Sequence, residues 1–464
     1  VQTGEQERST RHAARNAALA FAILITLSLV VGLGAMAPKF PRSDAVRYIT
    51  YALNLHDHAI FSLADVPGND PPEASSTHSP LYPTWIAAFL TVDPALAGSL
   101  RCAVRDDRTA ADCPHAFRSI VAGQLVLAGI FLGSVWLFAR RLSGSDLFAW
   151  IATFCAILAR NPWQYANQFL TEALLVPLLG LFILFLTLAY QDRRPVWMLA
   201  TGAALGLAAL TRPAYVYLFV AMIAVLAVAA AIGRARGLVL ACLLFALAYG
   251  AVVAPWMMRN KALTDRFAVT TGYAGDILSQ RVAYNRMTWP EWGAAFVYWL
   301  PDVGDSLAQN LFAKSTYHKL SWDEGSYYST DAPALYRTYA KQVSSPNEIV
   351  PYILRTEILA QPVKHALVTL PLAFRAIFIA KYWGIAGLVC FIALAVHRVR
   401  RNDYTILLLS LPVWFMVVFH ALVSVSIPRY NLALIPFYAY AMAWVFHTTG
   451  CRVLSILRQG KPGH

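Results

Sequence analysis

The chain has 464 residues, 58% of them apolar and only 14% charged, with a mean hydropathy of +0.51; this excludes a soluble globular domain and points to a polytopic membrane protein. A formal net charge of +13 would suggest nucleic acid in a soluble chain. Here Lys and Arg fall largely in short connections between apolar runs and nucleic-acid motifs are absent, so topology and phosphate-bearing lipid explain the charge and no nucleic-acid partner is expected.

Residues 1–15 are polar and basic, and the apolar run that follows is too long for a signal peptide and lacks a small-residue cleavage site, so a retained anchor is expected. Runs long enough to cross about 30 Å of hydrocarbon fall at 17–37, 117–139, 145–160, 169–190, 196–211, 213–232, 237–257, 376–396, 404–426 and 430–449. These make about ten spans, with both termini on one side. The stretch 80–92 is too short to cross.

With the amino terminus in the cytoplasm, Arg8, Arg11 and Arg15, Arg140 and Arg141, Arg193 and Arg194, Arg234 and Arg236, Arg398, Arg400 and Arg401, and Arg452, Arg458 and Lys461 all lie inside. The short opposite turns carry one Arg each: Arg160, Arg212 and Arg429. The expected organisation is an N-terminal membrane module 1–257 containing a first outer loop 38–116, a second outer loop or cap 258–375, and C-terminal spans 376–464. The cap is mixed polar and aromatic, with Trp289, Trp292, Trp299 and Trp322.

Cys102 and Cys113 bracket a polar segment of the first outer loop, where an oxidising compartment favours a disulfide-closed loop over two free thiols. Only His115 is nearby and there is no second Cys pair, which argues against zinc. Cys155, Cys242, Cys390 and Cys451 lie in or at the end of spans.

Asp44 follows the first span in Ser43-Asp44-Ala45-Val46-Arg47-Tyr48, at the point where that span delivers the chain to the bilayer surface. The phrase continues as an amphipathic helix with Val46, Ile49 and Leu53 on one face. Locally, Ser43-Asp44 reads equally well as a helix cap. Further along stand Pro80-Leu81-Tyr82-Pro83, Thr171-Glu172 at the start of a span, Arg212-Pro213 between spans, and Pro255-Trp256-Met257-Met258-Arg259-Asn260 at a span end. Arg429-Tyr430 comes last, with Pro436 following.

In their order and their side of the membrane these segments resemble the polyprenyl-phosphate-sugar-dependent glycosyltransferases of the C-type superfamily (GT-C), relatives of protein O-mannosyltransferases and aminoarabinose transferases. The family often has Asp-Glu at the first motif, where this chain has Asp44-Ala45. The resemblance implies an all-α GT-C helical bundle with two large extracytoplasmic loops carrying juxtamembrane helices, set in a bacterial inner membrane. It also implies inverting transfer of a monosaccharide from a polyprenyl-phosphate donor to an acceptor hydroxyl on a glycan, lipid or protein.

Asp44 is then the general base, since an alcohol needs a positioned carboxylate to take its proton. Arg429 is the first choice for the donor phosphate, with Arg259 and Arg212 next; the competing role for each is snorkelling to lipid headgroups. Lys261, Arg281 and Lys319 are weaker candidates for the same task. Tyr48, His78, Tyr82, Glu172, Trp256 and Tyr430 are candidates to line the substrate, although interfacial aromatics are also the membrane background and Glu172 also suits a helix N-terminus. His56-Asp57-His58 does not converge on one ion from a helix, so a divalent metal has no support in the sequence.

A multi-span transporter or flippase is the main alternative; the absence of detectable repeats and the scarcity of charges within the spans argue against it. An O-antigen ligase or polymerase is the second alternative, which does not need an acid directly after the first span.

Overall fold

A backbone in hydrocarbon must satisfy its own hydrogen bonds, and a chain this apolar meets that demand with helices. The computed structural model describes residues 2–64, 71–105, 109, 111–113, 117–233 and 236–459, with the side chains of 2–11 and 451–459 set aside. Arg8, Arg11, His115, Arg234, Cys451, Arg452, Arg458 and Lys461 therefore lie outside the described side chains. Among the described residues every regular element is helical, and seven helices are long and apolar enough to cross a membrane: His12–Ala35, Arg118–Ser143, Glu172–Asp192, Tyr215–Gly233, Arg236–Thr264, Tyr382–Val399 and Thr405–Val423.

Two of the expected spans, 145–160 and 196–211, are not among these seven. Over 145–160 the helix is Asp146–Leu158, of 13 residues; Ser145 caps its start, and Arg160, at a φ of 59°, turns the chain away before Pro162. Over 196–211 it is Trp197–Thr211, of 15 residues, ended by Arg212, which adopts an extended conformation ahead of Pro213. At 1.5 Å per residue these reach only about 20 Å and 22 Å. The expected last span, 430–449, begins with the 3-10 segment Pro428–Leu434 before its α-helix starts at Ile435.

The chain divides into two compact units, residues 1–269 with 435–464, and residues 270–434. The second therefore holds the expected cap together with two of the spans expected in the C-terminal segment.

The first unit contains α1 (Gln2–Ala35), α2 (Asp44–His58), α3 (Leu81–Leu90), α4 (Pro94–Ala103), α5 (Arg118–Ser143), α6 (Asp146–Leu158), α7 (Asn161–Ala166), α8 (Glu172–Asp192), α9 (Trp197–Thr211), α10 (Tyr215–Gly233) and α11 (Arg236–Thr264), and its last helix is Ile435–Gln459. α5 is the central post, packed by α1, α6 and α8, and α9 bridges α8 to α11. Small residues let these helices close on one another: a Cβ on Gly129 would lie 2.5 Å from the Ile25 Cα, and one on Gly202 would lie 2.3 Å from the Phe245 carbonyl oxygen. Over this bundle α2, α3 and α4 share an apolar core of Ile49, Leu53, Tyr82, Ile86, Leu96 and Leu100. α2 buries more than its apolar stripe, since Thr50, Tyr51 and Asn54 are enclosed as well.

The second unit contains α12 (Ala274–Ala283), α13 (Trp289–Tyr298), α14 (Gly304–Leu311), α15 (Lys314–His318), α16 (Ala332–Ala340), α17 (Ile349–Ile353), α18 (Pro362–Ala376), α19 (Tyr382–Val399) and α20 (Thr405–Val423). Its core gathers Leu278, Tyr284, Ala294, Leu320, Tyr339 and Leu372. A helix C-terminus leaves carbonyls unpaired and favours cations, and three basic side chains meet the end of α20. Arg281 donates to the Ala421 carbonyl at 2.7 Å, His365 Nε2 lies 3.1 Å from that of Leu422, and Arg375 donates to those of Val425 and Ser426. Arg281, a weak phosphate candidate from the sequence, is fully buried and further bonded to Asn285, the His365 carbonyl and Thr369. It ties α12 to α18 and α20 and offers nothing to a ligand.

Candidate active site

Asp44 is the first residue of α2. Ser43 before it sits at a φ of 51° and makes no side-chain cap, so the capping role open to this dipeptide is not filled by the serine. A left-handed serine is a tight turn that a non-glycine residue adopts at a cost, and it sets the half-buried Asp44 at the positive end of the helix dipole. Asp44, Tyr48 and Tyr51 follow at i, i+4 and i+7 and so share one helix face.

That face meets His78. The imidazole lies 6.3 Å from the Tyr48 ring, edge-on, and 5.3 Å from the Tyr51 ring. Burial pushes the His78 pKa down to about 4, Arg47 pushes the same way, and the Asp44 carboxylate opposes both. His78 is therefore neutral at physiological pH and feels the charge of Asp44.

The polar chain continues from His78. Tyr51 Oη lies 3.3 Å from His78 Nδ1, 2.7 Å from Thr77 Oγ1 and 2.9 Å from Ser75 Oγ, and Thr77 Oγ1 is itself 3.1 Å from His78 Nδ1. The Ser75 carbonyl accepts from Arg259 Nη1 at 2.8 Å, and the same nitrogen donates to Asn260 Oδ1 at 2.9 Å. The Arg259 guanidinium stands 4.4 Å over Trp256 and 5.7 Å over Phe61, a cation–π seat that keeps the charge in place. Trp256 is fixed in turn by donating to the Val269 carbonyl at 2.9 Å. Tyr48, His78, Trp256 and Arg259, separated by more than two hundred residues, thus belong to one connected group within the first unit, and Asp44 acts on His78 through its charge.

Three sequence candidates take a different place. Tyr82 is fully enclosed, 5.5 Å from Tyr48 and donating to Gln124 Oε1 at 2.8 Å. It backs the wall rather than lining a substrate, because its hydroxyl finds a partner only inside the core. Glu172 is 1% exposed and pairs with Arg212 at 2.6 Å, while Arg212 Nε donates to Thr171 Oγ1 at 3.3 Å. A carboxylate that deep requires a cation, so the pair ties α8 to the end of α9.

Arg429 and Tyr430 belong to the second unit, on the 3-10 segment after α20. The Arg429 guanidinium lies 5.6 Å over the Tyr430 ring, Tyr430 packs 5.4 Å from His420, and His420 Nδ1 is 3.1 Å from Asn431 Oδ1. Lys261 and Lys319 form ion pairs with Asp265 and Asp331.

Cys102 and Cys113 are joined by a disulfide. Asp57 of the His56-Asp57-His58 run is held by Arg101 at 2.6 Å, and among the described residues no group of His, Cys, Asp and Glu is arranged to hold a metal ion. The sequence reading missed Tyr51, Ser75 and Thr77. The signal for Tyr51 was its i+7 spacing from Asp44; Ser75 and Thr77 lie in an irregular loop and carried none.

Fold and site together define a membrane protein, all-helical in its described regular elements, in which the helix that begins at Asp44 meets an imidazole and, through the loop at Ser75, a guanidinium. Residues 115–257, about a third of the chain, match the family described as dolichyl-phosphate-mannose-protein mannosyltransferase. Similar solved structures include ArnT from Cupriavidus metallidurans bound to undecaprenyl phosphate, 14% identical over 96% of this chain and 81% of that one, with a TM-score of 0.39. The apo state of the same protein is 15% identical over 92% and 77%, with a TM-score of 0.39. The archaeal oligosaccharyltransferase AglB from Archaeoglobus fulgidus, in complex with an inhibitory peptide and a dolichol-phosphate, is 15% identical over 97% of this chain and 52% of that one, with a TM-score of 0.45. No curated protein sequence matches the chain.

Proposed function

We propose that the chain is an inverting glycosyltransferase that moves a monosaccharide from a polyprenyl-phosphate donor to an acceptor hydroxyl on a glycan, lipid or protein. Asp44 takes the acceptor proton as the oxygen attacks the anomeric carbon, and the bond from that carbon to the phosphate oxygen breaks. The departing phosphate gains negative charge, which a fixed guanidinium stabilises in a site shielded from water. Arg259, held over Trp256 in the group that includes His78, takes that role. Neutral His78 brings no charge to neutralise the carboxylate.

The reading is carried by the gathering of Asp44, His78 and Arg259 within the unit whose central segment matches the mannosyltransferase family. By the charge pattern of its short loops, the enzyme sits in a bacterial inner membrane with both termini cytoplasmic and the site on the extracytoplasmic face.

The test is transfer of radiolabelled sugar from synthetic polyprenyl-phosphate donors, with membrane extract as acceptor, by the wild type and Asp44→Asn. A wild-type rate that drops by a factor of about a thousand or more in the variant, with donor lipid still bound, is the expected result. Equal rates in the two would remove Asp44 from the mechanism, and no transfer from any donor would favour the transporter reading.

A further inference from the structure

We infer that Tyr51 is a positioning residue that couples the His78 side of the site to the Arg259 side through its hydroxyl; the inference rests on the glycosyltransferase reading above. Tyr51 is fully buried on α2, with its ring stacked 4.1 Å from Phe61 at an interplanar angle of 19°. That stack fills the core, and a phenylalanine would fill it equally well. The hydroxyl is what packing does not explain, because a buried hydroxyl must find partners or cost stability. It finds three, Thr77 Oγ1, Ser75 Oγ and His78 Nδ1, at 2.7, 2.9 and 3.3 Å.

Those contacts lead in two directions. Toward Asp44, Tyr51 and Thr77 together engage Nδ1 of His78 and so fix the plane of the imidazole beside α2. Toward the phosphate contact, Tyr51 holds Ser75, whose amide donates to the Phe61 carbonyl at 2.8 Å and whose own carbonyl accepts from Arg259. The loop over 71–80 has no regular structure of its own at Ser75 and Thr77, so its geometry there depends on side-chain anchors, and Tyr51 is the anchor common to both branches. Burial raises the Tyr51 pKa, which keeps the hydroxyl protonated as a donor.

The experiment compares full-length wild type, Tyr51→Phe, His78→Gln and the double variant for kcat, donor KM and thermal unfolding in detergent, with Asp44→Asn in parallel. Tyr51→Phe is expected to lower kcat and raise donor KM by roughly tenfold each, the scale on which small misplacements act, while its unfolding midpoint stays close to that of the wild type. The double variant should show the kcat of His78→Gln and the donor KM of Tyr51→Phe, because one effect runs through the imidazole and the other through Ser75. Wild-type constants in Tyr51→Phe, or effects on kcat that multiply in the double variant, would overturn the inference. So would a large fall in the unfolding midpoint with unchanged donor KM, which marks a purely structural tyrosine. Collapse in Asp44→Asn beside a neutral Tyr51→Phe removes only this inference, whereas full activity in Asp44→Asn removes the Asp44 mechanism and this inference with it.

Discussion

At the scale of single residues, two carboxylates follow apolar stretches and meet opposite fates. Asp44 stays half-exposed at a helix start, beside a histidine that burial keeps neutral, and so retains the access a base needs. Glu172 is sealed and paired with Arg212. Removing one member of such a pair strands the other charge in a poor solvent, which costs more than the pair contributes. Glu172→Gln is therefore expected to lower stability by roughly 3 kcal/mol, measured by thermal or denaturant unfolding in detergent. Activity per folded molecule near wild type is the outcome expected of a pair that only joins α8 to α9. An unfolding midpoint unchanged by Glu172→Gln would show that the pair is not structural.

At the scale of elements, the bundle depends on close helix approach. α9 carries Gly202 against the backbone of α11 at Phe245, a backbone contact that no side-chain rotamer change can relieve. Gly202→Val is expected to force α9 and α11 apart and cost about 1–3 kcal/mol, in the usual range for overpacking. The check is the unfolding midpoint of the purified variant beside Gly237→Val, where a Cβ meets nothing within 4 Å and little change is expected. α2 makes the complementary case. Its apolar face, Ile49 and Leu53, was legible as a period in the sequence, and the site uses a different face, 44-48-51, because α3 and α4 cover the first.

At the scale of the whole molecule, each unit holds a histidine that burial keeps neutral. The pKa of His78 and that of His365 are both pushed down to about 4, by burial first and then by Arg47 and Arg281 respectively. A histidine in the unfolded chain titrates near 6.5. Between these values the unfolded state binds more protons, so stability is fully present above about pH 6.5 and falls as the pH drops toward 4. Unfolding midpoints recorded in detergent from pH 8 to 5 should be flat above 7 and decline below 6.5, with a shallower decline in His365→Gln. Carboxylates titrate lower, so the part of this window above pH 5 isolates the histidines. A midpoint that does not change from pH 7 to pH 5 would count against buried neutral histidines in both units.

The sequence alone determined the helical membrane class, most of the long spans and the resemblance, because hydropathy, span length and motif order are local and survive without coordinates; it also put Asp44 forward, which the transfer assay tests. The helices over 145–160 and 196–211 fall short of a full crossing, bounded by a left-handed Arg160 and a pre-proline Arg212. Only the tertiary structure decided which candidates share a site. Tyr82, Glu172 and Arg212 match the motifs as well as Arg259 does, yet Tyr82 is enclosed and Glu172 pairs with Arg212, while the Tyr51 hydroxyl and the Ser75 carbonyl bring Arg259 into the group that includes His78. Partnership of this kind is a long-range property: a buried polar atom takes whichever partner the packing brings within about 3 Å, and no spacing along the chain encodes that choice.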